Sequence, residues 1–140
     1  MINAVNVNYW AILVSAVAAM ILGFLWYSPV LFGKTWMKLM KIDEKKINNS
    51  KNKGMWKLFS VQFFAAFLMI YVLAVILKFN GSATMLDGIL TGFWCWLGFI
   101  AATMIGMVLW EQKPIKLYAI ITLYYLVALM IAGSILTVWR

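Results

Sequence analysis

The stretch LFSVQFFAAFLMIYVLAVIL, residues 58–77, runs for twenty residues without a single charge. A helix of about 20 apolar residues is long enough to cross the hydrocarbon core of a bilayer, which is about 30 Å thick. Three further stretches are equally free of charge, at residues 10–27, 88–110 and 117–139. The sequence therefore predicts an all-α protein with four transmembrane helices, at residues 9–28, 57–78, 87–110 and 116–139.

Composition supports a membrane location for most of the chain. Hydrophobic residues make up 66% of its 140 residues, whereas about 45–50% is typical of soluble domains. A soluble protein of this length has too small an interior to bury that surplus of apolar surface. We therefore expect a single membrane domain over residues 1–140.

Residues at the predicted helix ends suggest where the spans start and stop. Asn8 can cap the first span, Pro29 cannot extend it, and Asp87 is a favourable charge at the start of the third. Lysines at positions 34, 38 and 41 share one helical stripe, which predicts a short interfacial helix over residues 30–41; the alternative is a helix that simply continues beyond the bilayer. Residues 42–56, rich in Lys and Asn, are predicted to form a solvated loop.

The basic residues divide unevenly between the two sides of the membrane. With four spans, one side receives only Lys78 and Arg140, and the other receives the remaining ten of the twelve Lys and Arg residues. The positive-inside rule then places both termini outside and the lysine-rich loop in the cytoplasm. The expected partners of that loop are the lipid bilayer and its anionic phospholipids. Positive charge that flanks spans in this way does not indicate nucleic-acid binding.

Small residues recur every four positions in two spans and predict close helix packing. The first span carries Ala11, Ser15, Ala19 and Gly23. The third carries Gly98, Ala102 and Gly106, and Gly88 and Gly92 add a further pair. Either stripe could pack within the chain or form the seam of a homo-oligomer, and we expect self-association.

The chain has few residues suited to catalysis or metal binding. It contains no histidine, four acidic residues and one cysteine, which excludes a Ser–His–Asp triad and argues against a zinc site. Asp87 is expected to act as a helix-start charge. Glu111 is expected to pair with Lys113, Lys116 or a loop lysine, or else to be a functional acid. The sequence predicts no catalytic, cofactor-binding or metal-binding residue and no enzymatic activity.

Aromatic and polar residues gather at the predicted cytoplasmic interface. The turn formed by Trp26, Tyr27, Ser28 and Pro29 should lie at the depth of Trp36, Trp110 and Glu111. These seven residues form a candidate interfacial pocket around Glu111; the alternative is that they only anchor helix ends. Deeper in the spans, the polar atoms of Tyr71, Trp94, Trp96, Tyr124 and Tyr125 need partners in the protein or a wet cavity.

The segment GFLWYSP, residues 23–29, followed by LFGK at 31–34 and Trp36, resembles the signature of a family of small bacterial membrane proteins, domain of unknown function 1761. WLGF at residues 96–99 is similar to its third-helix motif. Trp110-Glu111, Pro114, Leu117 and Tyr124 are similar to its last connection and helix. The resemblance covers residues 8–139. It implies a four-helix membrane protein and no particular activity. We expect the chain to lie in the bacterial cytoplasmic membrane.

Two functional hypotheses follow. The first is a non-enzymatic membrane component that self-associates or binds a partner. The second is a small oligomeric transporter or channel for a neutral or weakly charged solute, lined by Thr, Tyr, Trp and Gln62. The second hypothesis predicts that Gln62 and Tyr124 face one shared cavity, whereas the first predicts a dry bundle.

Overall fold

The computed structural model describes residues 6–40 and 55–139. Within these described residues lie five helices: α1 (Tyr9–Trp26), α2 (Gly33–Met40), α3 (Met55–Phe79), α4 (Met85–Leu109) and α5 (Ile115–Val138). All except α2 are long and apolar enough to span a membrane. The predicted all-α fold, with four candidate spans and a short helix after the first, is confirmed. Most of the predicted loop, including residues 42–54, lies outside the described residues; its last two positions belong to α3.

The helix starts follow local signals that the sequence contains. The Asn8 Oδ1 atom accepts hydrogen bonds from the backbone N–H groups of Trp10 and Ala11, at 3.0 and 3.2 Å. At the start of α4, the Thr84 Oγ1 atom accepts from the Asp87 N–H at 3.1 Å, and the Asp87 carboxylate accepts from the Thr84 N–H at 3.2 Å. This reciprocal pair is a capping box. Asn8 and Asp87 therefore act as helix-start residues, as predicted.

The connection between α1 and α2 is longer than the sequence suggested. The first span ends at Trp26, two residues before the predicted end, and the short helix begins at Gly33 instead of residue 30. The turn between them uses backbone hydrogen bonds from Phe32 to Trp26 and from Gly33 to Ser28, at 3.0 and 2.9 Å. A Cβ atom on Gly33 would lie 2.3 Å from the Tyr27 carbonyl oxygen. Only glycine fits at this position, and the hydrogen-bonded turn before it delays the start of α2.

Helix α5 lies at the centre of the bundle. It packs against α1, α3 and α4, and α1 also packs against α3. In an 18-residue apolar window of each helix, 44% of the residues are buried in α5 and only 6% in α4. The third span is therefore peripheral, and it is not packed against the first.

The two small-residue stripes have different surroundings. In α1, Ala11, Ser15 and Ala19 are almost fully buried, and a Cβ atom on Gly23 would lie 3.3 Å from the Tyr124 hydroxyl. In α4, Gly98 and Ala102 are exposed, and a Cβ atom on Gly98 would meet nothing within 4 Å. Gly106 would meet only the Trp110 side chain. Among the residues that the structure describes, the stripe of α4 has no partner helix.

The close approach of α4 to α5 uses other glycines. A Cβ atom on Gly88 would lie 2.1 Å from the Gly133 carbonyl oxygen, and one on Gly92 would lie 2.7 Å from that of Leu129. The second half of α4 is irregular, with a π-helical turn at Leu97–Ala101. The Tyr118 hydroxyl donates to the Ala101 carbonyl at 2.6 Å. The first half of α4 therefore packs closely on α5 through glycines, and the second half is attached less closely.

Candidate functional site

Helices α1, α2, α3 and α5 surround an open cavity of about 520 Å³. It lies near the end of α1, the start of α3 and the first half of α5, so it occupies the half of the bundle that contains the α1–α2 turn. We call it the aromatic cavity. Its lining residues are Met20, Gly23, Phe24, Tyr27, Trp36, Met40, Phe59, Gln62, Ile121, Tyr124 and Tyr125.

Each helix supplies lining residues from a single face. Residues three and four apart lie on the same side of a helix. The lining residues of α1 and of the Tyr27 position that follows it fall at 20, 23, 24 and 27; those of α5 fall at 121, 124 and 125; and those of α2 fall at 36 and 40. Once the helices pack, these separate faces meet around one space.

Tyr124 is the centre of the aromatic wall. Its ring centroid lies 5.0 Å from that of Tyr125, 5.8 Å from that of Tyr27 and 6.4 Å from that of Trp26. These separations are in the range of favourable ring contacts. The Tyr124 hydroxyl donates to the Ala19 carbonyl at 2.8 Å, which answers the need for a partner deep in the membrane. Tyr124 therefore shapes the wall, and its hydroxyl is already used.

Four other polar side chains of the cavity form no hydrogen bond with the described residues. Over residues 6–40 and 55–139, the side chains of Tyr27, Trp36, Gln62 and Tyr125 make no hydrogen bond with another described residue. Burial, together with the phenols of Tyr125 and Tyr124, raises the pKa of the Tyr27 phenol above its ordinary value. Its hydroxyl therefore keeps its proton and can donate. These four side chains can bond a bound molecule without breaking a contact in the bundle.

The structure brings together only part of the predicted interfacial pocket. Tyr27 and Trp36 both line the cavity, and their rings lie 5.5 Å apart. Trp26 instead ties α1 to α5, because its indole N–H donates to the Ile120 carbonyl at 2.9 Å. The Ser28 hydroxyl donates to the Leu25 carbonyl at 2.7 Å, within its own turn, and Pro29 is exposed.

Trp110 and Glu111 lie elsewhere. They line a separate surface recess of about 420 Å³ with Thr103, Met104, Gly106 and Met107. The two recesses are separate because α1 and α4 both pack on α5 and do not form a packed pair with each other. Glu111 is exposed, and among the described side chains it forms no ion pair with Lys113 or Lys116. The predicted cluster around Glu111 is therefore not assembled in this structure.

Several lining residues carried only a weak signal in the sequence. Gln62, Tyr124 and Tyr125 stood out as uncharged polar groups within apolar spans. The transporter hypothesis placed Gln62 and Tyr124 in one cavity, but none of the three was assigned to the interfacial pocket. The apolar members, such as Phe24, Phe59 and Ile121, carry no signal, because a side chain that lines a cavity and one that faces lipid are chemically alike. Their role becomes visible only when the neighbouring helices are placed.

Comparison with known proteins identifies a family. A family model described as "Protein of unknown function (DUF1761)" matches residues 10–137, nearly the whole chain. The match agrees with the motifs at the α1–α2 turn. No curated protein and no solved structure matches the chain.

Proposed function

We propose that this chain, which belongs to the DUF1761 family, is a non-enzymatic membrane protein that binds a small uncharged molecule in the aromatic cavity, as a binding or transport component. One observation carries the proposal: Gln62 and Tyr124 line the same cavity. A transport role predicts that arrangement, and a dry bundle does not. The volume of about 520 Å³ falls within the 300–1,000 Å³ typical of small-molecule sites.

The lining chemistry favours an uncharged molecule. None of the eleven lining residues is charged. A charged group deep in a membrane costs about 2.5–3.5 kcal/mol unless it is paired, and the described lining residues offer no counter-charge. The same lining argues against an enzyme, because phenols, an indole and an amide are poorly suited to acid–base work near neutral pH.

Native mass spectrometry in a gentle detergent tests this proposal. We expect the purified protein to retain a small molecule, and Ile121→Trp to release it because the larger side chain fills the cavity. Ile131→Trp is the matched control, since Ile131 lies on the same helix but outside the cavity. Retention of the molecule by the Ile121→Trp variant would contradict the proposal.

The orientation that we propose is both termini outside and residues 41–54 in the cytoplasm, with the aromatic cavity in the cytoplasmic half. The distribution of lysines supports it, and the same loop is proposed to contact anionic phospholipid in a bacterial cytoplasmic membrane. In a Cys95→Ser background, an impermeant maleimide should label Ala83→Cys in intact cells and Asn49→Cys only after lysis. The reverse labelling pattern would show that the topology is opposite to the one proposed.

A second role, self-association through the outer face of α4, is supported by a separate observation. Gly98 and Ala102 are exposed there, and Phe99 is 70% exposed. Small residues at this spacing let helices approach closely in lipid. We expect Gly98→Leu to convert an oligomer into monomers in single-molecule photobleaching. Ala65→Leu, which places the same side chain at an exposed site on α3, should leave the subunit number unchanged. Equal subunit numbers for wild type and Gly98→Leu would exclude this interface.

A further inference from the structure

Four polar groups of the aromatic cavity form no hydrogen bond with another described residue, and one of them can only donate. That group is the Trp36 indole N–H; the neutral phenols of Tyr27 and Tyr125 can each donate or accept. The Gln62 amide can both donate and accept. An uncharged molecule that satisfies Trp36 therefore needs an accepting atom, and carbonyl oxygens can accept from all four groups.

The walls of the cavity favour a flat molecule. Six of the eleven lining residues are aromatic, and they come from every helix around the cavity: Phe24, Tyr27, Trp36, Phe59, Tyr124 and Tyr125. Aromatic rings make their best contacts with other rings in offset-stacked or edge-to-face arrangements. Met20 and Met40 complete the walls, and their flexible thioethers can adapt to the outline of a ring.

A cation is the main alternative for an aromatic cavity, because ring faces attract ammonium groups. Two observations disfavour it here. The lining contains no carboxylate. The charged residues on α2 and at the start of α3 are Lys34, Lys38 and Lys57, so the local field is positive and repels a cation.

We infer that the aromatic cavity takes an uncharged, planar ring compound that carries carbonyl oxygens, as quinones do. This inference rests on the proposed function and names the class of molecule. The carbonyl oxygens accept hydrogen bonds from the donors of Tyr27, Trp36, Tyr125 and Gln62, and the ring lies against the aromatic wall. The binding is non-covalent, and no bond is made or broken.

Three probes of similar size separate the possibilities, with affinity measured by equilibrium dialysis of the protein in nanodiscs against empty nanodiscs. They are 2,3-dimethyl-1,4-naphthoquinone, 2,3-dimethylnaphthalene and trimethyl(1-naphthylmethyl)ammonium. The methyl groups of the quinone block addition of the Cys95 thiol. We expect the quinone to bind about tenfold more tightly than either other probe, since each neutral hydrogen bond contributes a factor of about two to ten.

Isosteric variants test which groups hold the carbonyl oxygens. Tyr125→Phe and Gln62→Leu should each weaken quinone binding by about fivefold and leave the hydrocarbon unchanged. Tyr71→Phe, on α3 outside the cavity, is the matched control and should change neither. Tyr27→Phe replaces any variant whose melting temperature shows that it has not folded.

The outcomes distinguish the inference from the function on which it rests. If the hydrocarbon or the ammonium binds as tightly as the quinone, or if Tyr125→Phe and Gln62→Leu leave quinone affinity unchanged, the proposed class is wrong. In that case a molecule released by Ile121→Trp still supports a binding function. If Ile121→Trp releases nothing and alters the affinity of no probe, both proposals fail.

Discussion

At the scale of single residues, the same amino acid has opposite roles at different positions along α4. Gly88 lies against α5 so closely that there is no room for a side chain, whereas Gly98 faces outward with nothing nearby. Both belong to regular spacings of small residues. The spacing alone therefore does not identify which glycine holds two helices together.

We expect Gly88→Ala to destabilise the protein by about 1–3 kcal/mol, the range for overpacking, because its Cβ atom would lie 2.1 Å from the Gly133 carbonyl oxygen. Thermal unfolding in detergent, followed by tryptophan fluorescence, measures the loss. Gly98→Ala is the matched control and should be neutral or slightly stabilising, since alanine favours the helix. Equal effects at the two positions would contradict the observed α4–α5 packing.

Ser15 is a second residue whose surroundings determine how its side chain affects the stability of the protein. It is 1% exposed, and its hydroxyl makes no hydrogen bond to any part of the chain that the structure describes. A buried polar group without a partner costs about 1–3 kcal/mol. We expect Ser15→Ala to raise the unfolding temperature.

The same substitution at Ser134 is the control, because the Ser134 hydroxyl donates to the Met130 carbonyl at 2.9 Å. Ser134→Ala should be neutral or destabilising by a few tenths of a kcal/mol. A loss of stability in Ser15→Ala would show that its hydroxyl has a partner in the folded protein.

At the scale of elements, α4 is joined to α5 by different contacts along its length. Its first half packs through glycines. Further along, the indole N–H of Trp96 donates to the Thr122 carbonyl at 2.6 Å, and Tyr118 bonds to the π-helical turn. Sequence patterns predicted an uninterrupted helix here, because a π-turn leaves no mark in hydropathy.

We expect Trp96→Phe to weaken the α4–α5 contact by about 0.6–1.7 kcal/mol, the range of hydrogen bonds measured between membrane helices. Hydrogen exchange at residues 97–109 should accelerate as a result. Trp94→Phe is the control from the same helix, because Trp94 is 64% exposed and bonds to no other described side chain. Hydrogen exchange that is as fast in Trp94→Phe as in Trp96→Phe would argue against a specific role of the Trp96–Thr122 hydrogen bond.

At the scale of the whole molecule, charge and apolar surface occupy different regions. Ten of the twelve basic residues fall on the side that contains the α1–α2 turn and residues 41–54. Three of the four acidic residues lie on the same side, so seven of the eight net positive charges belong to it, and it is the side nearest the aromatic cavity.

We expect anionic phosphatidylglycerol in nanodiscs to raise the unfolding temperature relative to phosphatidylcholine alone, since each lysine near an anionic surface contributes about 1 kcal/mol. Replacing Lys45, Lys46, Lys51 and Lys53 with Gln should remove most of the gain. So should 1 M salt, which shortens the screening length to about 3 Å. Lys78→Gln, on the opposite side, should have little effect, and a gain that survives all four replacements would exclude the loop as the lipid contact.

Features that depend on neighbours in sequence were predicted correctly, and features that depend on helix packing were not. Asn8 and Asp87 cap helices as expected because capping involves only neighbours in sequence. Tyr27 and Trp36 were correctly placed near each other because only a short turn separates them. Trp110 and Glu111 were expected beside them on grounds of depth alone, and depth does not specify which helices are neighbours.

By itself, the sequence determined the number, the approximate length and the caps of the helices, because these depend on local bonds and on matching apolar length to a bilayer. Only the tertiary structure decided that α5 is central, that Gly88 and not Gly98 forms the close contact, and that Gln62 and Tyr124 share a cavity. Lipid is as apolar as the interior of the bundle. Hydropathy therefore cannot distinguish a helix face that meets another helix from one that meets lipid or lines a cavity.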